Sequence, residues 1–154
     1  MDSNSAISYL MQHTAAAMGR QSDQLLQERL GIGLSQFKIL MALQHEPYIQ
    51  QRKLAMHLGQ TEASISRQIK LLHERGMLVT RINPKSKREH LNVPTPKGIK
   101  IAEAAREAMQ QHYATMFAAL NDKQQKQLVQ MLAGFHAWLC PPGKPNSCNH
   151  PFNI

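Results

Sequence analysis

The chain has 154 residues, a mass of 17.4 kDa and 42% hydrophobic side chains, enough for the core of one domain, and its two Cys are too few for a disulfide framework. No apolar run approaches the roughly 18 residues of a membrane span, and no basic segment followed by an apolar one opens the chain as a secretory signal would, so a cytoplasmic protein without membrane contact is expected. The net charge of +8 is concentrated: residues 1–30 carry −1, residues 101–154 carry +1, and residues 31–100 hold twelve basic against four acidic side chains for +8. Such a local basic excess points to a polyanionic partner, most often nucleic acid.

In chain order, helical spacing comes first. Ile7, Leu10, Thr14, Ala17, Met18, Leu25 and Leu26 recur at helical intervals over Ser5 to Leu30, with Gly19 as a loosening point and Gly31 and Gly33 as the break. A short apolar helix over Ser35 to His45 turns Phe37, Leu40, Met41 and Leu43 inward, and Pro47 closes it. Another runs from Gln50 to Leu58 and stops at Gly59. Thr61 then stands at an N-cap with Glu62 in the first turn, where a carboxylate suits the helix dipole. In that helix Ile65, Ile69 and Leu72 share a face, and Gly76 supplies the stop.

The period changes after Gly76. Met77 to Ile82 is rich in β-formers, residues 83–89 make a basic, Pro-containing tip, and Leu91 and Val93 alternate with polar residues before Pro94. This predicts a β-hairpin of about twenty residues. Thr95 and Pro96 start a helix as N-cap and first helical residue, and it runs to about Leu120. Asn121 or Asp122 caps a last helix through Trp138, which Cys140-Pro141-Pro142 ends. The dozen residues after it hold Pro, Gly, Asn and Ser and read as an extended tail.

Four helices, a hairpin and two helices give a mainly α protein. A helix–turn–helix followed at once by a hairpin is the winged-helix arrangement, with the second helix of the pair in the major groove and the hairpin tip on flanking DNA. Double-stranded DNA is the expected partner. In the recognition-helix candidate, Arg67 is long enough for a bidentate contact to guanine, and Lys70 can reach a phosphate. The hydroxyls of Thr61, Ser64 and Ser66 can bond phosphate oxygens beside the N–H groups of the helix start. The wing carries Lys85, Lys87 and Arg88 at its tip and Arg81 at its base, and Arg52 adds a phosphate-reaching cation from the preceding helix.

At these residues the sequence resembles the MarR family of bacterial transcription regulators over residues 5–140. Leu54 to Leu78 (LAMHLGQTEASISRQIKLLHERGML) is similar to the family's helix–turn–helix nearly position for position. Residues 31–40 (GIGLSQFKIL), the hairpin with Asn83-Pro84 and Arg88, and residues 95–98 (TPKG) support the likeness. The resemblance implies an interlocked homodimer of first, fifth and sixth helices on a pseudo-palindromic operator, usually as a repressor released by a ligand. It divides the chain into a dimerisation helix (1–32), a winged helix–turn–helix (33–100), dimerisation helices (101–140) and the tail (141–154). Three departures stand out: Ser86 where the family has an Asp bracing the wing arginine, Pro94 in place of an aliphatic residue, which predicts a short second strand, and Gly33 at the usual Ser/Thr cap.

The resemblance also implies a cleft for a small aromatic or amphipathic effector, with His13, Phe37, Met41, His112 and Tyr113 as candidate lining; for each, packing is the stronger reading, since Met and aromatic residues at helical spacing are usually core. The family's peroxide sensors use a Cys near the start of the chain, absent here, and its zinc sensors a His-rich fifth helix, which His112 alone does not supply. A rival reading makes Cys140, Cys148 and His150 a thiol or metal sensor, but their spacing matches no zinc pattern. Another rival is a dimeric ligand-binding protein that keeps the fold without binding DNA. His57 and His73 read as surface residues near DNA. No catalytic set converges, so no enzyme, cofactor or metal is expected.

Overall fold

A computed structural model describes residues 2–83 and 86–141, with residues 87–90 described by backbone alone. Its elements are α1 (Ser3–Leu30), α2 (Leu34–His45), α3 (Gln51–Leu58), α4 (Glu62–Glu74), β1 (Leu78–Asn83), β2 (Ser86–Pro94), α5 (Pro96–Phe117) and α6 (Asp122–Leu139). The protein is mainly α, with six helices and one two-stranded antiparallel hairpin.

Side-chain caps fix most helix starts. Asp2 accepts from the Ser5 N–H at 2.9 Å, Thr61 from Ser64 at 3.1 Å, Thr95 from Gly98 at 3.1 Å and Asn121 from Gln124 at 3.0 Å. The Ser5 backbone N–H and hydroxyl, helped by the backbone N–H groups of Asn4 and Asp2, hold its carboxyl below the usual carboxylate range. At α2 the cap residue is Gly33, which has no side chain, and Asp23 of α1 takes over: its Oδ1 accepts from the Leu34 N–H at 2.7 Å. Gln36 Oε1 accepts from the Gly33 N–H at 3.2 Å, so the start of α2 is satisfied from two directions.

The core lies where α2 meets α1, α3, α4, α5 and β2. Leu26, Ile32, Ile39, Leu40, Leu43, Leu54, Ile65, Leu72, Met77 and Leu78 are its largest fully enclosed apolar side chains. Ile39 is an inward residue that the helical spacing did not single out; Phe37, Leu40 and Leu43 lie inside as expected, and Met41 is half-buried. The expected apolar face of α1 is buried at Leu26 alone, while Ile7 and Leu10 stay exposed. α6 buries no residue at all.

The structure corrects four local expectations. α1 runs unbroken through Gly19. α5 ends at Phe117, because residues 118–120 form a turn. The basic segment is shared between turn and strand: β2 begins at Ser86, so the backbone of Lys87 and Arg88 belongs to the strand. The second strand is also long, nine residues, because Pro94 pairs with Leu78 at its very end, where a missing N–H costs no ladder bond. Pairing is regular from Leu78–Pro94 to Ile82–His90 and shifts between Ile82 and Asn83, which stands opposite Ser86.

Candidate nucleic-acid interface

Helix α4 presents one face to the core and the other to solvent. Ile65, Ile69 and Leu72 are buried, and at complementary helical positions Thr61, Glu62, Ala63, Ser66, Arg67 and Lys70 are exposed. Small residues at 63 and 66 leave the first turns narrow, with Arg67 projecting beside them. Glycine at 59, with φ +61°, closes α3 in the left-handed conformation that only Gly adopts without strain, and so sets the angle between α3 and α4.

Two polar ties hold that turn. Gln60 Oε1 accepts from the Ser35 hydroxyl at 2.9 Å and from the Ser64 hydroxyl at 3.3 Å. The hydroxyl hydrogen of Ser64 is thus used inside the protein, and Ser64 braces the turn rather than offering a free donor. Thr61 Oγ1 accepts within the cap, which leaves its own O–H free to donate outward. Arg52 of α3 is exposed with Nε 4.0 Å from Glu62, and Lys70 Nζ is 3.9 Å from Glu74. Exposed pairs of this kind are worth about 0–1 kcal/mol, so both cations are readily redirected.

On the hairpin, Arg81 is exposed on β1. Lys85 lies outside the described residues, as do the side chains of Lys87 and Arg88. Val79, Thr80, Arg81 and Ile82 are all exposed, while Met77 and Leu78 at the base join the core, Asn83 is buried, and Leu91 and Val93 of β2 are half-buried.

The base is held by the TPKG segment. Thr95 Oγ1 donates to the Gly76 carbonyl at 2.7 Å, and Lys97 Nζ donates to the Arg75 carbonyl at 2.8 Å. At Gly98 a Cβ would overlap the Met77 carbonyl oxygen, so only glycine allows α5 so close to the start of the hairpin. Arg75 reaches the other way, its Nη1–H donating to the Gly31 carbonyl at 2.6 Å at the end of α1. Sequence reasoning missed Asp23, Gln60, Arg75 and Lys97 as positioning residues. Charged or amide side chains next to helix ends were the available signal.

The five effector candidates do not gather in one cavity of the protomer. Phe37 is part of the core and Met41 packs against it. Tyr113 donates its phenolic hydrogen to Ser22 Oγ at 2.6 Å, Ser22 in turn donating to the Met18 carbonyl at 2.7 Å, which ties α5 to α1. Exposed His13 stacks on Tyr9 near the N-terminal end of α1. His112 contacts the Tyr113 ring and lines an open cleft of about 440 Å³ with Gln21, Arg29, Gln111, Thr115 and Met116. The polar side chains of this cleft, Arg29 above all, suit an anionic group. Of the sensor triad, Cys140 caps α6, whereas Cys148 and His150 lie outside the described residues; no group of three metal-ligating side chains occurs among the described residues. His73 is half-buried and bonded to Asn92 rather than free at the surface. No described helix is long and apolar enough to cross a membrane.

The sequence model of the MarR family matches residues 30–89, which run from the start of α2 through the helix–turn–helix to the wing. No curated protein sequence matches the chain. The fold is that of solved MarR-type proteins. A MarR/EmrR family transcriptional regulator from Acinetobacter sp. ADP1 superposes with a TM-score of 0.75 at 18% identity, over 90% of this chain and 98% of its own. CouR from Rhodococcus jostii RHA1, solved with p-coumaroyl-CoA, gives 0.74 at 18% identity, over 88% and 92%. A MarR family protein of Mycobacterium tuberculosis in complex with salicylic acid gives 0.70 at 23% identity, over 83% and 94%. The family's sequence pattern thus runs across the winged helix–turn–helix, and the fold over most of the chain is that of solved MarR-type regulators.

Proposed function

We propose that the protein is a homodimeric, ligand-responsive repressor that occupies a pseudo-palindromic operator. One observation carries the DNA reading: α4 buries Ile65, Ile69 and Leu72 and turns Ser66, Arg67 and Lys70 outward, with Arg52 and Arg81 exposed on the neighbouring elements. In this reading Arg67 reads a base, and Thr61, Ser66, Lys70, Arg52, Arg81, Lys85, Lys87 and Arg88 hold the backbone. Ser64 acts indirectly through Gln60.

The division of labour follows the helices. Residues 33–100 form the DNA-binding unit, and α1, α5 and α6 form the dimer, since α6 buries nothing in the protomer and α1 leaves Ile7 and Leu10 exposed. The effector is a small aromatic or amphipathic acid, its anionic group held by Arg29 beside His112. The salicylic acid seen in the M. tuberculosis protein is of that chemistry, and the p-coumaroyl-CoA seen in CouR carries an aromatic acyl group on a larger carrier. Ligand-driven respacing of the two recognition helices would release the operator, because half-sites one DNA turn apart tolerate little misfit.

The test is selection of DNA from a random pool, followed by fluorescence anisotropy on the selected duplex and a scrambled one. With about four cations per subunit on phosphates, log K should fall with log salt at a slope near −7, a loss on the order of 10⁴ between about 50 and 200 mM. A slope shallower than about −3, or equal binding to both duplexes, overturns the reading.

A further inference from the structure

The resemblance to MarR proteins leads one to expect a wing braced at its tip, by an Asp beside the wing arginine, and Ser86 removes that carboxylate. The hairpin is seated along one strand: from Val79 to Ile82 β1 is exposed, whereas Leu91 and Val93 of β2 are half-buried and Asn83 is buried. A two-stranded ribbon with so small an apolar seat is marginal by itself in water. One side-chain pair ties it to the recognition helix. His73, in the last turn of α4, donates its Nε2–H to Asn92 Oδ1 of β2 at 2.7 Å, in partly buried surroundings. Asn92 stands opposite Thr80 in the ladder, next to the Arg81–Leu91 pair, so the bond lands two residue pairs out along the ribbon from its buried end at Leu78–Pro94.

We infer that His73 and Asn92 are positioning residues that fix the angle of the wing on the recognition helix, so that α4 and the hairpin meet DNA as one body. The inference rests on the DNA reading above and adds to it the means by which this chain braces its wing. The turn between the two elements is already held from the far side by Thr95 on the Gly76 carbonyl and Lys97 on the Arg75 carbonyl. Those bonds anchor the base of the ribbon. A contact farther out resists pivoting at that base, and His73–Asn92 is placed to make one.

The experiment compares wild type, His73→Ala, Asn92→Ala and the double variant on two duplexes. One is the selected site with its flanks; the other is the same site trimmed to the base pairs that the helices cover. Each single variant should lose about three- to ten-fold on the full duplex, the range of one hydrogen bond, and bind the trimmed duplex like wild type. The double variant should be no weaker than either single one, as expected of partners in one bond. His73→Gln, which restores an N–H donor, should recover part of the loss. In the free proteins, amide hydrogen exchange in β1 and β2 should quicken in the Ala variants while α4 stays protected.

Equal losses on both duplexes, additive losses, or faster exchange throughout α4 would each mean that the pair merely supports folding, and would overturn the inference. If wild type itself does not distinguish selected from scrambled DNA, the DNA reading fails. The exchange data then still decide whether the pair holds the ribbon.

Discussion

A methyl group at position 98 would overlap the Met77 carbonyl oxygen, with Leu40 Cδ2 at 3.3 Å behind it. Backbone cannot give way as a flexible side chain does, so Gly98→Ala should cost about 1–3 kcal/mol through overpacking. The measurement is urea unfolding, with a lowered midpoint at unchanged slope; an unchanged midpoint would show that α5 can slide without cost. Asp23 makes a similar case from the polar side. Its carboxylate satisfies the Leu34 N–H that Gly33 cannot reach, and Asp23→Ala should cost about 0.5–2 kcal/mol, the worth of a cap, by the same assay. Restoring a local cap with Gly33→Ser in the Asp23→Ala background should return much of it. In the proposed DNA reading, Arg67 serves function rather than stability. It is exposed and takes part in no ion pair among the described residues, so Arg67→Ala should leave the unfolding midpoint in place. On the selected duplex it should cost about 1–3 kcal/mol and relax preference at one base pair per half-site. Loss by the same factor on scrambled DNA would remove Arg67 from base reading.

The elements divide into those whose limits are set locally and those set by partners. Helix starts at Thr61, Thr95 and Asn121 were legible because a cap and its N–H lie three residues apart. The core face of α4 was legible because Ile65, Ile69 and Leu72 follow the helical period. The extent of β2 was not. Cross-strand pairing carries it from Pro94 back to Ser86, and no local pattern marks Lys87 and Arg88 as strand. Nor were the long-range ties legible: Asp23 to Leu34 spans 11 residues, His73 to Asn92 spans 19 and Arg75 to Gly31 spans 44, and each depends on how two elements cross. The effector candidates show the same limit, since Tyr113 turned out to bond Ser22 on α1 while Phe37 went to the core. For the wing, the strand placement has a consequence at element scale. Lys87→Ala should weaken selected and scrambled duplexes nearly alike and lower the salt slope by about one per cation removed. A loss confined to the selected duplex would make Lys87 a base reader instead.

At the scale of the molecule, the protomer leaves apolar surface bare on α6. Trp138 is 82% exposed and Leu139 65%, and Phe135 and Leu132 lie bare on the same helix. Apolar surface so contiguous on an otherwise polar helix marks an interface. Sedimentation at micromolar concentration should show a homodimer, and Trp138, the one Trp of the chain, should shift its emission to the red as the protein is diluted to monomer. A well-folded monomer at micromolar concentration would reject the interlocked architecture. In the proposed dimer, the bond from Arg75 to the Gly31 carbonyl would give mechanical advantage. α1 is a rod of 28 residues, about 42 Å at 1.5 Å per residue, and its last carbonyl is fastened to the residue that ends the recognition helix. A tilt of about 5° about the far end of that rod carries the fastened end about 4 Å, close to the rise of one base pair. Leverage of this kind turns an adjustment too small to disturb any single packing contact into a misfit of one step on the DNA ladder.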